Sequence, residues 1–225
     1  MKPLVLLIAG WAHPAATLRP LADALAEFAS PRLFAAHESL PKLHEPAFLL
    51  GWSLGGLRAL YAPLHTPDKF LGLILISTTA RFSAAPDFPY GTSTARLRAM
   101  KAALRKTPEP VLRQFFADVA APAQLTPAEL DEKVQAALAL GADKLAAGLD
   151  ELLATDLRAN LSGNPTPALV LHGRADRVIP CAAGAALAEQ FVFSRFAGFA
   201  GLGHDLPLRA PEKLAVEIKN FLETF

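Results

Sequence analysis

Short runs of apolar residues recur along the chain, and between them apolar positions return every three or four residues. The runs cover residues 4–9, 32–36, 47–50, 71–77, 168–172 and 191–197. Each reads as a strand buried on both faces, because such a strand has no polar side to show. Strands alternating with helical stretches predict a parallel sheet covered by helices. Between Ser77 and Ala168 the pattern changes to amphipathic stretches broken by Pro and Thr, at 93–106, 109–118, 127–139 and 142–154, with no strand among them. This block predicts a helical lid over residues 81–157, inserted into one α/β domain, 1–225, whose core is 1–80 and 158–225. Open α/β sheets bind ligands at the C-terminal ends of their strands, which is where the lid should stand. The stretch from Ala36 to Ala47 is too short for a crossover helix, since a parallel connection takes about a dozen residues or more. The expected sheet is therefore trimmed and mostly parallel, about six strands, with one helix missing and a face that another subunit could cover.

Composition narrows the partners. A chain of 225 residues with a formal net charge of +1 gives no global reason to expect nucleic acid or a membrane, so any charge argument must be local. One cysteine, Cys181, cannot form an internal disulfide, which suits a reducing cytoplasm. The opening MKPLVLLIAGWA has the outline of a signal peptide, but reading Leu4 to Ile8 as a core strand retains Gly10-Trp11 for the site described next. No apolar run reaches the length of a membrane span. The expectation is a cytoplasmic monomer or small homo-oligomer.

The candidate chemistry centres on GWSLGG, residues 51–56, which follows strand formers and precedes a helical stretch. A strand turning sharply into a helix strains the residue at the apex and lifts its side chain off the sheet, and residues two positions away must be small. Gly51 and Gly55 meet that need, which makes Ser53 a candidate nucleophile. A serine hydroxyl needs a base, and the base needs an orienting acid. Asp176 ends the loop after the strand at 168–172, and His204 lies in the glycine-rich loop Gly201-Leu202-Gly203 before the last helix. Asp205 is the competing acid, disfavoured because an adjacent residue rarely folds back on its neighbour's ring. The expected oxyanion donors are the backbone N–H groups of Leu54 and Trp11, and the indoles of Trp11 and Trp52 should line an apolar acyl pocket. His13, His37, His44 and His65 read as solvated, and His172 as a core residue.

Gly-Trp after the first strand, the GWSLGG turn, the loop ending in Asp176 and Gly-His204 before the last helix together resemble the α/β-hydrolase superfamily. Within it they are most similar to the BioH-type pimeloyl-(acyl-carrier protein) methyl ester esterases of biotin synthesis. The likeness covers nearly the whole chain, including Ala80-Arg81-Phe82 at the opening of the lid. It implies hydrolysis of a methyl ester on a pimeloyl chain held by acyl carrier protein, with no metal or organic cofactor. Carrier protein is acidic, so a basic docking surface is expected on Arg81, Arg96, Arg98, Lys101, Arg105, Lys106 and Arg113, opposed locally by Asp87, Glu109 and Asp118. The lid from Glu129 to Asp156 is acidic instead, and the two faces could neutralise each other. The chain departs from the family pattern in having Ala9 where a histidine is usual, and in lacking both a hairpin before the first strand and an acidic-proline-glycine loop. A general ester or thioester hydrolase, or a non-catalytic receptor, are the alternatives.

Overall fold

The computed structural model describes residues 2–224. Six strands, β1 (Leu4–Ile8), β2 (Ser30–Phe34), β3 (Ala47–Trp52), β4 (Phe70–Ile76), β5 (Ala168–Gly173) and β6 (Ser194–Phe199), form one sheet in the order β2-β1-β3-β4-β5-β6. Every pairing is parallel. Alternate residues of the central strands enter two separate cores. Leu6, Ile8, Leu49, Leu73, Leu75 and Val170 face one side, and Val5, Leu7, Phe48, Leu50, Ile74, Ile76 and Leu171 the other. That double coverage is why the strands read as unbroken apolar runs.

Helices α1 (Arg19–Leu25), α2 (Leu54–His65), α3 (Thr94–Lys106), α4 (Pro108–Ala120), α5 (Pro127–Leu140), α6 (Ala142–Ala154), α7 (Arg158–Leu161), α8 (Cys181–Ala188), α9 (Leu206–Arg209) and α10 (Pro211–Leu222) complete the chain. Leu21 and Leu25 of α1 and Leu214, Ile218 and Phe221 of α10 cover the second core. α2 and α8 cover the first, and the lid helices join it through Leu104, Leu112, Phe116, Val134, Leu145 and Leu149. The lid thus shares apolar packing with the sheet. Thr126 and Glu129 start α5 with a reciprocal capping box, each satisfying the other's backbone N–H.

The two edge strands sit away from their apolar runs: β2 begins at Ser30 and β6 extends to Phe199. Edge strands bury little, so hydrophobicity marks them poorly, and the edge also admits Pro31. The link between β2 and β3 carries no helix, as its length required. Leu40 and Leu43 of that link pack against the first core, so the chain itself helps to cover the face expected to await a second subunit.

The sheet's order reverses between β1 and β3, since the chain leaves β1 to one side for β2 and returns to its other side for β3. Such a switch point opens a crevice at the strand ends. Gly10-Trp11 after β1 and Ser53 after β3 meet there, with a Cβ built on Gly10 lying 3.2 Å from that of Ser53. Contact is tighter at Gly55, whose added Cβ would overlap the Ile8 and Ala9 carbonyls. Gly55→Ala is therefore expected to destabilise the protein by about 3 kcal/mol or more, read as a drop in thermal midpoint, because both obstacles are backbone.

Candidate active site

Ser53 occupies the turn from β3 into α2 with φ 57° and ψ −121°, a region that a side chain disfavours. The turn is held on several sides. Ser53 N–H donates to the Ile76 carbonyl at 2.9 Å, and the Ser53 carbonyl accepts from Gly56 N–H at 2.9 Å and Thr78 Oγ1 at 2.7 Å. A Cβ on Gly51 would overlap the Gly55 carbonyl and Gly56. The two glycines therefore let α2 start directly beneath the serine. Leu54 is the first helical residue, so its N–H belongs to the turn whose donors have no acceptor within the helix.

Asp176 and His204 come from the loops after β5 and β6. Those loops touch at Gly173, where a Cβ would overlap the Leu202 and Gly203 carbonyls. Asp176 Oδ2 accepts from His204 Nδ1 at 2.8 Å, and its Oδ1 from Val178 N–H at 2.8 Å and Ile179 N–H at 2.9 Å. His172, fully buried below, places Nε2 2.9 Å from the Ile179 carbonyl and 3.3 Å from Asp176 Oδ2. Burial alone would raise the Asp176 pKa. The charge of His204 and the hydrogen bonds from His172 and His204 outweigh it, holding the carboxyl well below its ordinary range. A carboxylate there can only accept, so Nδ1 of His204 carries a hydrogen, and in the neutral ring Nε2 is the free lone pair; Nε2 is buried and without a hydrogen-bond partner among the described residues. Asp205 turns elsewhere and accepts from Arg209 Nε at 2.9 Å.

Ser53 lines a cavity of about 500 Å³ whose walls are mostly apolar: Trp11, Phe82, Leu97, Met100, Val111, Phe115, Leu149 and Leu152, with Val178 at one side. Trp11 is fixed in this wall by Nε1–H donation to the Leu145 carbonyl at 2.8 Å, against Gly148, which leaves room for the indole. Trp52 does not line the cavity. Its side chain points to the opposite face of the sheet, fully buried, and its Nε1–H donates to the His204 carbonyl at 2.8 Å. The alternation of strand residues decides this, since Trp52 shares the parity of Phe48 and Leu50. His13 also departs from expectation, being 4 % exposed and packed among Trp52, Phe115 and Phe116. Thr78 carried no signal in the sequence, because its bond to Ser53 depends on the path taken after β4.

The basic residues of the lid divide into two groups. Arg81 pairs with Asp156 at 2.6 Å and Arg113 with Asp131 at 2.6 Å and Glu109 at 2.8 Å. Lys101 pairs with Asp150, and Arg96 lies 3.6 Å from Asp118. Neutralisation between the basic and acidic halves of the lid therefore takes up three of the seven cations, and Asp118 within the basic half faces a fourth, Arg96. Arg98, Arg105 and Lys106 are exposed on α3 without an ion-pair partner among the described residues. Their spacing places Arg98 and Arg105 on one helical face.

No group of His, Cys, Asp and Glu among the described residues is arranged to hold a metal ion. No described helix is long and apolar enough to cross a membrane. A family model described as alpha/beta hydrolase family matches residues 5–217. A pimeloyl-(acyl-carrier protein) methyl ester esterase from Aromatoleum aromaticum is 34% identical over 190 residues, covering 80% of this chain and 76% of the relative. An enzyme of the same name from Xanthomonas oryzae is 29% identical, covering 98% of this chain and 95% of its own. Among solved structures, a hydrolase from Oleispira antarctica superposes with a TM-score of 0.87 at 16% identity, covering 100% of this chain and 92% of that one.

Proposed function

The chain belongs to the alpha/beta hydrolase family and is an ester-hydrolysing enzyme, and we propose that it is a serine carboxylesterase cleaving the methyl ester of a pimeloyl chain carried on acyl carrier protein. The observations that carry the reading are Ser53, strained at the head of α2 and lining a mostly apolar cavity, and the buried Asp176–His204 pair joined at 2.8 Å. In this reading His204 Nε2 takes the proton of Ser53 Oγ as the oxygen attacks the ester carbonyl. Leu54 and Trp11 N–H groups receive the oxyanion, and the loss of charge to solvent is avoided inside the cavity. The imidazolium then protonates departing methanol, leaving an acyl group on Ser53. Water, activated by the same histidine, releases the acid and restores the serine. Asp176 stays ionised throughout and stabilises the imidazolium.

The choice of ester rests on the apolar lining, which suits a methylene chain, on the names of the relatives, and on the unpaired cations of α3. The deciding experiment compares release of free pimeloyl carrier protein from its methyl ester with hydrolysis of a short p-nitrophenyl ester. Serine-dependent turnover that strongly favours the carrier-bound ester supports the proposal. Turnover of the small ester alone makes this a general esterase.

A docking role for α3 gives a sharper expectation. The double variant Arg98→Glu and Arg105→Glu should raise KM for the carrier-bound ester about tenfold and leave the p-nitrophenyl ester unchanged, as expected for charges that act on a large acidic partner. Equal effects on both substrates would make the charge of α3 structural. Arg113→Glu is a poorer probe, because it also breaks ion pairs to Glu109 and Asp131.

A further inference from the structure

Trp11 sits in a tight turn that its own sequence disfavours. The turn runs from Gly10 to His13, with His13 N–H donating to the Gly10 carbonyl at 3.3 Å. Ala12, its third residue, has φ 61°, the left-handed region that a Cβ opposes. A positive φ at that position accompanies a turn whose central peptide, here Trp11 to Ala12, is turned over relative to the commoner form. The long backbone bond alone is a weak restraint on either peptide.

The side chain of His13 supplies the missing restraint. Its Nδ1 lies 2.7 Å from the Trp11 carbonyl, and since a carbonyl only accepts, Nδ1 carries the hydrogen. Burial pushes the His13 pKa down to about 3, so the ring stays neutral at working pH. The ring is held in turn, with its centroid 4.4 Å from that of Trp52 and 5.3 Å from that of Phe116. Its Nε2 is buried with no hydrogen-bond partner among the described residues, an arrangement that costs stability and calls for a reason.

Peptide planarity links these bonds to Trp11 N–H. In a trans peptide the C=O and the following N–H point in opposite directions. The bond from His13 N–H to the Gly10 carbonyl therefore sets the direction of Trp11 N–H, and the bond from Nδ1 to the Trp11 carbonyl fixes the next peptide and keeps the turn from flipping. One residue holds both peptides that flank Trp11. We propose that His13 is a positioning residue for ester hydrolysis, holding the Gly10–His13 turn so that Trp11 N–H stays aimed at the developing oxyanion. The inference rests on the esterase reading, with Trp11 as an oxyanion donor.

The test uses a p-nitrophenyl ester and the full chain. His13→Asn and His13→Leu have side chains of the same branching, and only the asparagine places an N–H as many bonds from the backbone as Nδ1. The expected result is a loss in kcat of tenfold or more for His13→Leu, with KM within twofold of wild type, and recovery of at least half the wild-type kcat in His13→Asn. Should His13→Leu not fold, His13→Phe refills the ring's space without a donor and takes its place. Wild-type kcat in the variant lacking a donor would overturn the proposal. So would a loss in His13→Asn as large as in that variant, or an effect confined to KM. A purely structural role would lower the melting temperature without separating the asparagine from the leucine. Absence of Ser53-dependent turnover in the wild-type protein would sink the esterase reading itself, a result independent of any His13 variant.

Discussion

Ser53→Ala is expected to lower kcat for ester hydrolysis by about 10⁴-fold or more while leaving the thermal midpoint within a few degrees of wild type. The substitution removes one hydroxyl and nothing that shapes the turn. Ser53 makes its holding contacts through the backbone, donating N–H to Ile76 and accepting at its carbonyl from Gly56 and Thr78. An alanine has the same Cβ and bears the same strain at φ 57°. The apolar cavity and the N–H of Leu54 both survive, so some stabilisation of the transition state remains, but no acyl intermediate can form. Kinetics and covalent labelling check this separately. A fluorophosphonate should add its mass to the wild-type chain and not to Ser53→Ala. Appreciable turnover in the variant would remove Ser53 from the mechanism, and failure of the wild type to label would favour a receptor built on a hydrolase fold.

Asp176→Asn is expected to cost about 10³ to 10⁴-fold in kcat with little change in KM. Asp176 is surrounded by donors: His204 Nδ1, the N–H groups of Val178 and Ile179, and His172 Nε2 at 3.3 Å. A carboxylate can accept from all of them. An amide presents one accepting oxygen and one donating nitrogen, so either His204 changes tautomer or two N–H groups confront each other. In the first case Nε2 carries the proton and cannot take one from Ser53. The same carboxyl also links to pH. Its folded-state pKa is depressed, so it contributes stability above its unfolded value of about 3.9 and loses that contribution as pH falls toward the folded value. Acid unfolding of the wild type should therefore be steeper below about pH 4 than that of Asp176→Asn. Parallel curves for the two would mean that the buried pair does not favour the ionised form.

Most of the fold was legible because its signals are local. The central strands announce themselves as apolar runs, since helices cover both faces, and the lid helices by period and by breaks such as Thr107-Pro108 and Thr126-Pro127. The edge strands were offset by two or three residues where exposure removes the apolar cue. At the site, Ser53 was marked by its flanking glycines, and those glycines are needed because Gly51 and Gly55 meet backbone atoms. The positions of Asp176 and His204 followed from loops after successive strands.

What the sequence by itself determined were the element types, the parallel layering and the candidate residues for ester chemistry, because these depend on periodicity, chain order and side-chain chemistry. Only the tertiary structure decided which groups face each other. It turned Trp52 away from the cavity to hold the His204 carbonyl, buried His13 against the Trp11 turn, and spent Arg81, Lys101 and Arg113 on acids from other parts of the lid. Such contacts join residues up to 152 positions apart. Their energies depend on distance and direction in space, and a linear pattern carries neither.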